Sequence, residues 1–600
     1  METFYVITLI ATLLILLAAF SSVLAFRFGA PLLLLFLLIG LGAGVDGLGI
    51  DFENHETAYI VGSLALAIVL FDSGYGTPRA AFRLAAGPAM TMATIGVFIT
   101  TGLFGAAATV ILNISWLEGM LLGAIVASTD AAAVFFLLRI GGVNIRDKVR
   151  STLEVESGSN DPMAIFLTIT LVDIIANHGG MADSGWMTIM ASFATQLGLG
   201  LFFGIAGGAL IVLVGNRFGQ DQSLIPIFVL MLAMLVFSTT GAAGGSGFLA
   251  VYVAGIYAGN RKMQASQSVK RFQEAMTWLA QIIMFLMLGL LATPSQFPVL
   301  ILPAIGLAFF LIFIARPLAV WLCLLPFDFS QRETTFMAWV GLRGAVSILL
   351  GILPVLGNLQ NGMMFFNIAF IIVLVSLLVQ GWTINPMARF LGLIVPKRIG
   401  PVSKVGIDLP GTANHELVSY KVVKDSPVLA GERIPRWARP SLVIRDGKSM
   451  RYQYAGRLKE KDILYLFVSP GYISLLDRLF ASPRPVEDDD PEFFGAFEIS
   501  PARSARELDL AYGPGLLNEK EKRLSVGDLM NARLGGHADY ADRVRIGYLT
   551  LIVRDIGANG MITSVGLSFE QDQRTTTLPL FLNLHDMIEE WRKRFQRLKK

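Results

Sequence analysis

The 600 residues include one cysteine, Cys323, and five histidines. A lone thiol excludes an intramolecular disulfide and any cysteine-built metal cage. His55, His178, His415, His537 and His585 are scattered, with no metal-ligand spacing. Charge is scarce as well: Asp, Glu, Lys and Arg make up 16% of the chain, where a soluble chain carries about a quarter. The scarcity is local. Residues 1–400 hold 18 of the 48 Lys and Arg, and the last 200 residues hold the other 30. No nucleophile elbow, nucleic-acid module or dinucleotide fingerprint occurs. The glycine run Gly241–Gly247 lacks the Lys-Ser/Thr of a phosphate loop and reads as a tight turn. A potassium-filter signature of the Thr-Val-Gly-Tyr-Gly type is also missing. These absences argue against an enzyme, a nucleic-acid binder and a filter-bearing channel.

What remains is apolar sequence in quantity. Hydrophobic residues make up 54% of the chain, and mean hydropathy is +0.62. A span needs about 20 mostly apolar residues. Thirteen stretches qualify: 4–26, 30–46, 57–76, 86–111, 117–139, 152–177, 189–215, 223–241, 246–260, 274–292, 297–324, 334–357 and 365–391. Basic residues sort between their loops. Alternate loops carry Arg27, Arg79 and Arg83, Arg139 to Arg150, Arg217, Arg261 to Arg271, then Arg316 and Arg332; the others carry only acids such as Asp46, Glu118 and Asp183. That asymmetry predicts an N-terminus outside and a C-terminal third in the cytoplasm. Glu2 before the first apolar run and Arg27 after it give the charge order of an uncleaved helix rather than a signal peptide.

Polar residues inside the spans are few. The fifth span carries Ser128-Thr129-Asp130, the sixth Glu156-Ser157-Gly158-Ser159-Asn160-Asp161-Pro162, the twelfth Arg343 and Ser347, and the third Asp72. On a helix, Glu156 with Asn160 and Ser157 with Asp161 form two i,i+4 strips on adjacent faces. Pro162 removes a donor and frees a carbonyl near Gly158, so the sixth helix is expected to be broken or softened beside Asp161. A carboxylate at lipid depth is rare and costly, and it is stabilised by either a proton or a dehydrated cation. Competition for one carboxylate is the physical basis of antiport. Thr129, Ser157 and Ser347 can equally be interhelical glue, Asp130 a helix cap, and Asp72 a solvated or capping residue. Arg343 needs a partner at that depth, and a structural ion pair with Glu156 is expected.

Together, in order and on the fifth, sixth and twelfth spans, these motifs resemble the cation/proton antiporter superfamily. Within it they resemble the NhaP-type branch and the potassium/proton antiporters of the cell-volume-regulation (CvrA-like) group. The resemblance implies an α-helical polytopic membrane fold with inverted repeats, crossed discontinuous fifth and twelfth helices, and a homodimer working by elevator-like alternating access. It makes Asp161 the carboxylate that takes the cation or proton, with Asn160 the marker of electroneutral exchange. Thr129, Ser157 and Asp130 stand around the ion, Glu156 and Arg343 form a supporting ion pair, and Asp72 is a looser match. It implies no cofactor beyond the transported K⁺ (or Na⁺) and H⁺, a bacterial inner membrane as the setting, and lipid and a second copy as partners, with no nucleic acid. Sodium/proton exchange and ligand-gated potassium efflux are the alternatives.

After about residue 395 the pattern becomes that of a soluble α/β segment. Residues 415–425 alternate as a strand does, Ser441 to Lys448 reads as a strand ending in an Asp446-Gly447 turn, and residues 463–468 as another strand, followed by a helix near 471–480. Residues 403–483 resemble the RCK C-terminal (TrkA-C) module. Residues 493–600 resemble the transporter-associated domain of CorC/HlyC-like proteins, after an acidic linker from Glu487 to Asp490. Soluble, compact and attached directly to the last span, these domains are expected to dimerise and gate transport in response to a small ligand, not identified by the sequence, or to ionic conditions.

Overall fold

The computed structural model describes residues 2–569, apart from 29–30, 177–185, 218–223, 262, 264–265, 395–402, 408–414, 425, 470–471, 482–490, 513–516, 548 and 558–559. The acidic linker at 487–490, the helix expected from about 584 and the basic tail at 592–594 lie outside the described residues. Two compact units emerge, Met1–Pro396 and Lys397–Thr577.

Among its described residues the first unit is built of helices, with no strand beyond an isolated bridge between Ile145 and Ile394. It begins α1 (Glu2–Phe28), α2 (Leu32–Ala43) and α3 (His55–Gly76). Next come α4 (Arg79–Thr91) and α5 (Val97–Leu112), joined through a π-helical turn at Met92–Gly96. The fifth apolar stretch is two helices, α6 (Trp116–Ile125) and α7 (Ala131–Ile140), separated by an unwound segment. Then follow α8 (Asp147–Ala176), α9 (Trp186–Arg217), α10 (Ile225–Ala242), α11 (Gly247–Gly259) and α12 (Ser266–Leu291). A second π turn, Leu311–Ala315, joins α13 (Ile301–Phe310) to α14 (Arg316–Leu324). The twelfth stretch is again interrupted, into α15 (Gln331–Trp339) and α16 (Ala345–Gly351) with a short α17 (Leu353–Leu356), before α18 (Gly362–Phe390). Nine of the described helices are long and apolar enough to cross a membrane, and five shorter apolar helices accompany them.

The two interrupted helices start alike. Ser115 and Glu118 close a reciprocal capping box at the head of α6, and Ser330 and Glu333 close the same box at the head of α15. Each helix stops short of a full span, and each is preceded by a helix pair joined through a π turn, at 92–96 and 311–315. By contact, the helices sort into two groups, α1–α3 with α9–α12, and α4–α8 with α13–α18. The expectation of a broken α8 is corrected. It runs continuously through Pro162, because a proline removes only one donor and the tightly packed surroundings carry that loss.

The second unit holds two antiparallel sheets. The first is ordered β1 (Ser403–Ile407), β2 (His415–Lys421), β5 (Ile463–Val468), β3 (Arg439–Arg445) and β4 (Lys448–Arg451). Asp446 and Gly447 both take positive φ, 51° and 78°, as a two-residue hairpin turn requires. Alternate residues of β5, Leu464, Leu466 and Val468, are wholly buried against α20 (Ile473–Ala481), which contributes Leu476, Leu479 and Phe480; α19 (Pro427–Ala430) lies nearby. The second sheet, β6 (Phe497–Ile499), β9 (Ile562–Phe569), β8 (Leu549–Ile556) and β7 (Arg543–Ile546), packs with α22 (Ala505–Tyr512) and α23 (Val526–Arg533). Between the two, α21 (Pro491–Phe494) sends Phe493 and Phe494 into the first sheet's core. Trp437 Nε1 donates to the Ala541 carbonyl at 3.0 Å, and Arg436 pairs with Asp542 at 2.7 Å.

One ion pair in this unit sets a pH expectation. Arg445 grips Asp462 with two bonds, 2.9 Å and 2.7 Å, and the Lys459 amide donates to the same carboxylate at 2.8 Å. Burial works to raise the Asp462 carboxyl, but the Arg445 fork and the Lys459 amide outweigh it and hold it below the ordinary carboxylate range. A depressed carboxyl adds stability above its unfolded pKa of about 4 and loses it as pH falls through the folded value. Protection factors for amide exchange across 463–468 in the intact protein, corrected for the intrinsic pH dependence, should therefore fall on acidification below about pH 4. Asp462→Asn should raise exchange at neutral pH and flatten that acid response.

Candidate ion-binding site

The interruptions exist because two backbones cross there. The Asp130 amide, at the end of the first unwound stretch, donates to the Leu342 carbonyl in the second at 2.8 Å. Gly344 lets the chains approach: a Cβ at that position would overlap the Asp130 side chain. Broken helices leave orphan groups at both cut ends, and in an apolar interior each needs a partner. Asp130 supplies one by capping α7, its Oδ1 accepting from the Ala133 amide at 3.0 Å. Arg343 supplies another. Its Nη1 donates to the carbonyls of Ala127 and Ser128, at 2.6 and 2.7 Å, beyond the C-terminal end of α6. A cation there also answers the negative end of the half-helix. The break before α16 is tied in turn to α18: Ser376 accepts from the Arg343 amide, and Gln380 donates to the Trp339 carbonyl.

Asp161 faces this crossing from α8. It is 5% exposed and accepts a short hydrogen bond from the Ser128 hydroxyl. Ser157, one turn earlier, donates to the Thr129 carbonyl at 2.8 Å and accepts from the Ala131 amide at 3.0 Å, so it bridges both ends of the unwound stretch. Asn160 donates to Thr129 Oγ1 at 2.6 Å, which fixes that hydroxyl. A cavity of about 360 Å³ reaches this point, lined by Ser128, Thr129, Asp130, Ser157 and Asp161. Farther along, its walls carry Asp72, Glu154 and Glu274 together with Arg139, Arg150 and Lys270. The two strips of α8 thus do different work: Ser157 and Asp161 line the cavity, while Glu156 and Asn160 are buried behind it.

Several expected placements are corrected. Glu156 does not pair with Arg343. Its partner is Arg316, at 2.6 Å, with side chains 1% and 5% exposed. Arg316 is therefore not a loop cation but the first residue of α14, immediately after a π turn. The reason is geometric: Arg343 is held by carbonyls of the first break, whereas Gly341 has no side chain and leaves room for Arg316 to cross it. Asp72 is half-buried and caps no helix. It accepts from Thr277 of α12 at 3.0 Å and reaches the cavity. Ser347 is wholly buried and does not line the cavity, where Gly344, Ala345 and Val346 do. Three residues lack an assigned role in the sequence: Ser128 stands only as part of the fifth-span motif, Arg316 counts as a loop cation although it lies inside an apolar run, and Thr277 gives no signal.

A carboxylate held where discontinuous helices cross inside an apolar bundle is the construction of a secondary transporter rather than an enzyme. Residues 12–390 match the family model described as sodium/hydrogen exchanger, transmembrane, and the chain belongs to that family. It is 40% identical over 576 residues to the K(+)/H(+) antiporter NhaP of Alkalimonas amylolytica, covering 94% of this chain and 99% of that protein. Identity is also 40% to the K(+)/H(+) antiporter NhaP2 of Shewanella sp. (strain ANA-3), over 94% of this chain and 98% of that one. A more distant relative, the Na(+)/H(+) antiporter ApNhaP of Aphanothece halophytica, is 28% identical over 63% of this chain and 73% of its own. The solved structure of the sodium proton antiporter MjNhaP1 from Methanocaldococcus jannaschii aligns with a TM-score of 0.57 at 23% identity, over 65% of this chain and 99% of that one. The chain is thus a multi-pass membrane transporter of the monovalent cation/proton antiporter fold.

Proposed function

We propose that this protein exchanges K⁺ for H⁺, one for one, with Asp161 as the group both ions compete for. The observation that carries the reading is a charge count at the crossing. Arg316 and Arg343 offset Glu156 and Asp130, which leaves Asp161 as the uncompensated carboxylate. A single proton or a single monovalent cation brings the buried cluster to neutrality, so both loaded forms cross at similar electrostatic cost and the empty, charged form does not. Thr129, Ser157 and Asp130 stand close enough to complete the oxygen shell, while Asn160 orients Thr129.

The naming of the 40% identical relatives supports K⁺ over Na⁺; Na⁺/H⁺ exchange is the second reading, favoured by the name of ApNhaP. The paired capping boxes, breaks and π turns support inverted repeats within thirteen spans. With the basic loops read as cytoplasmic, Arg139, Arg150 and Lys270 in the cavity wall support an opening on the cytoplasmic side. Transport is then an elevator movement of the α4–α8 and α13–α18 group against the other, in a homodimer. The unit after residue 396, read as RCK C-terminal and transporter-associated modules, gates it through a small ligand. Proteoliposomes with a preset pH gradient test this as one experiment. Adding K⁺ should dissipate the gradient faster than Na⁺ or Li⁺, with no dependence on membrane voltage. A chain ending near residue 400 should keep the exchange and lose its activation profile. Net charge movement would sink the one-for-one reading.

A further inference from the structure

One contact joins the two helix groups beside the ion site. Tyr252, in α11, is 2% exposed. Its ring lies against Gly158 of α8, so closely that a Cβ there would overlap Cε2, Cζ and the hydroxyl. Gly158 is one turn before Asp161 and lines the same cavity. Tyr252 is itself firmly seated. Around it α3 and α11 touch backbone to backbone: a side chain at Gly74 would strike the Tyr252 carbonyl, one at Gly255 the Phe71 carbonyl, and one at Gly259 the Tyr75 carbonyl. Small residues permit that intimacy between membrane helices. The ring therefore belongs mechanically to the α1–α3 and α9–α12 group while its face rests on the other group.

The hydroxyl is placed to match. It lies beside Ser159 of α8 and Thr77 at the end of α3, and it closes a well-formed hydrogen bond with neither. A buried hydroxyl costs free energy when unpaired, and this one has a hydroxyl neighbour from each helix group.

We propose that Tyr252 is the bearing on which the Asp161-carrying group moves, with Gly158 as its side-chain-free track and Ser159 and Thr77 as alternating hydroxyl partners. This rests on the elevator reading above. A bearing affects how fast the loaded site crosses and leaves cation binding alone, whereas a residue that shapes the site affects both. A methyl on the track must be cleared at each passage, and overpacking of this kind is costly.

The test measures maximal exchange rate and half-saturating K⁺ in proteoliposomes, with K⁺-dependent thermal stabilisation of the purified protein as the binding readout. Gly158→Ala should cut the maximal rate about tenfold or more, while half-saturation and stabilisation stay within about twofold. Adding Tyr252→Leu to Gly158→Ala should restore much of the rate, because the second change makes room for the first. Wild-type speed in Gly158→Ala, or no recovery in the double variant, overturns the proposal. Equal losses of rate and K⁺ binding also overturn it, since they make Gly158 part of the site. Should Gly158→Ala not assemble, Tyr252→Phe carries the question: it should slow the maximal rate about threefold with K⁺ binding intact, and an unchanged rate would overturn the partner exchange. Asp161→Asn is run alongside. Exchange surviving in that variant indicts the ion-site reading, whereas a dead Asp161→Asn beside a full-speed Gly158→Ala indicts the bearing alone.

Discussion

Asp161→Asn reduces K⁺-driven proton flux to the leak of protein-free vesicles, a loss of at least about 100-fold or about 2.7 kcal/mol. The substitution keeps the shape of the side chain and its acceptor for the Ser128 hydroxyl, so the crossing of the two unwound stretches stays assembled. What disappears is the only property the exchange needs at this point, a group that carries a negative charge when empty and none when loaded. With Asn the buried cluster around Arg316, Arg343, Glu156 and Asp130 is already neutral without an ion. Neither K⁺ nor H⁺ then gains from entering. The measurement is the rate of pH-gradient collapse on adding K⁺, with thermal melting of the purified variant showing that it remains folded. Residual coupled exchange above a few per cent of wild type would move the ion-carrying role to another carboxylate.

Glu156→Gln destabilises the membrane unit by roughly 3–5 kcal/mol, because Arg316 is left as a charge buried without its counter-ion. The carboxylate and guanidinium meet at 2.6 Å with both side chains almost wholly buried. Removing both charges is far less costly than removing one. The double variant Glu156→Gln/Arg316→Gln therefore recovers most of the lost melting temperature, and Glu156→Gln/Arg343→Gln does not. Recovery in the second pair and failure in the first would restore the pairing that the spacing of charged residues suggests. Arg343→Gln has its own cost, since the carbonyls of Ala127 and Ser128 lose their donor.

The sequence makes the membrane unit legible because a span is a one-dimensional signal: about 20 apolar residues bounded by polar ones. It also makes the two strips of α8 legible, since an i,i+4 spacing fixes which residues share a face. Ser157 and Asp161 do line the cavity, and Glu156 and Asn160 do not. Charge partners are another matter. Arg316 and Arg343 are both candidates for Glu156 by composition, and 160 or more residues of chain separate either from it. Only the crossing decides, by giving Arg343 to two carbonyls and leaving Arg316 the space over Gly341. Pro162 misleads for a related reason. It marks where a helix can break, whereas the breaks fall where the two chains cross, through the Asp130 amide and the Leu342 carbonyl, far apart in sequence. The strands of the second unit are legible from alternation and from the Asp446-Gly447 turn, but the order β1-β2-β5-β3-β4 depends on long-range pairing that local pattern does not carry.

The bond between the Asp130 amide and the Leu342 carbonyl is made by main chain on both sides, so no substitution short of proline at 130 removes its donor. The two interruptions are therefore riveted together, and whatever travels with one travels with the other. On the elevator reading proposed above, an ion held at Asp161 keeps the same oxygen neighbours throughout its passage, because the group that carries it moves as a solid. Its affinity is then a property of the carrier and not of the face it opens to. Selectivity is set once, at the crossing, and the direction of net exchange is left to the two gradients.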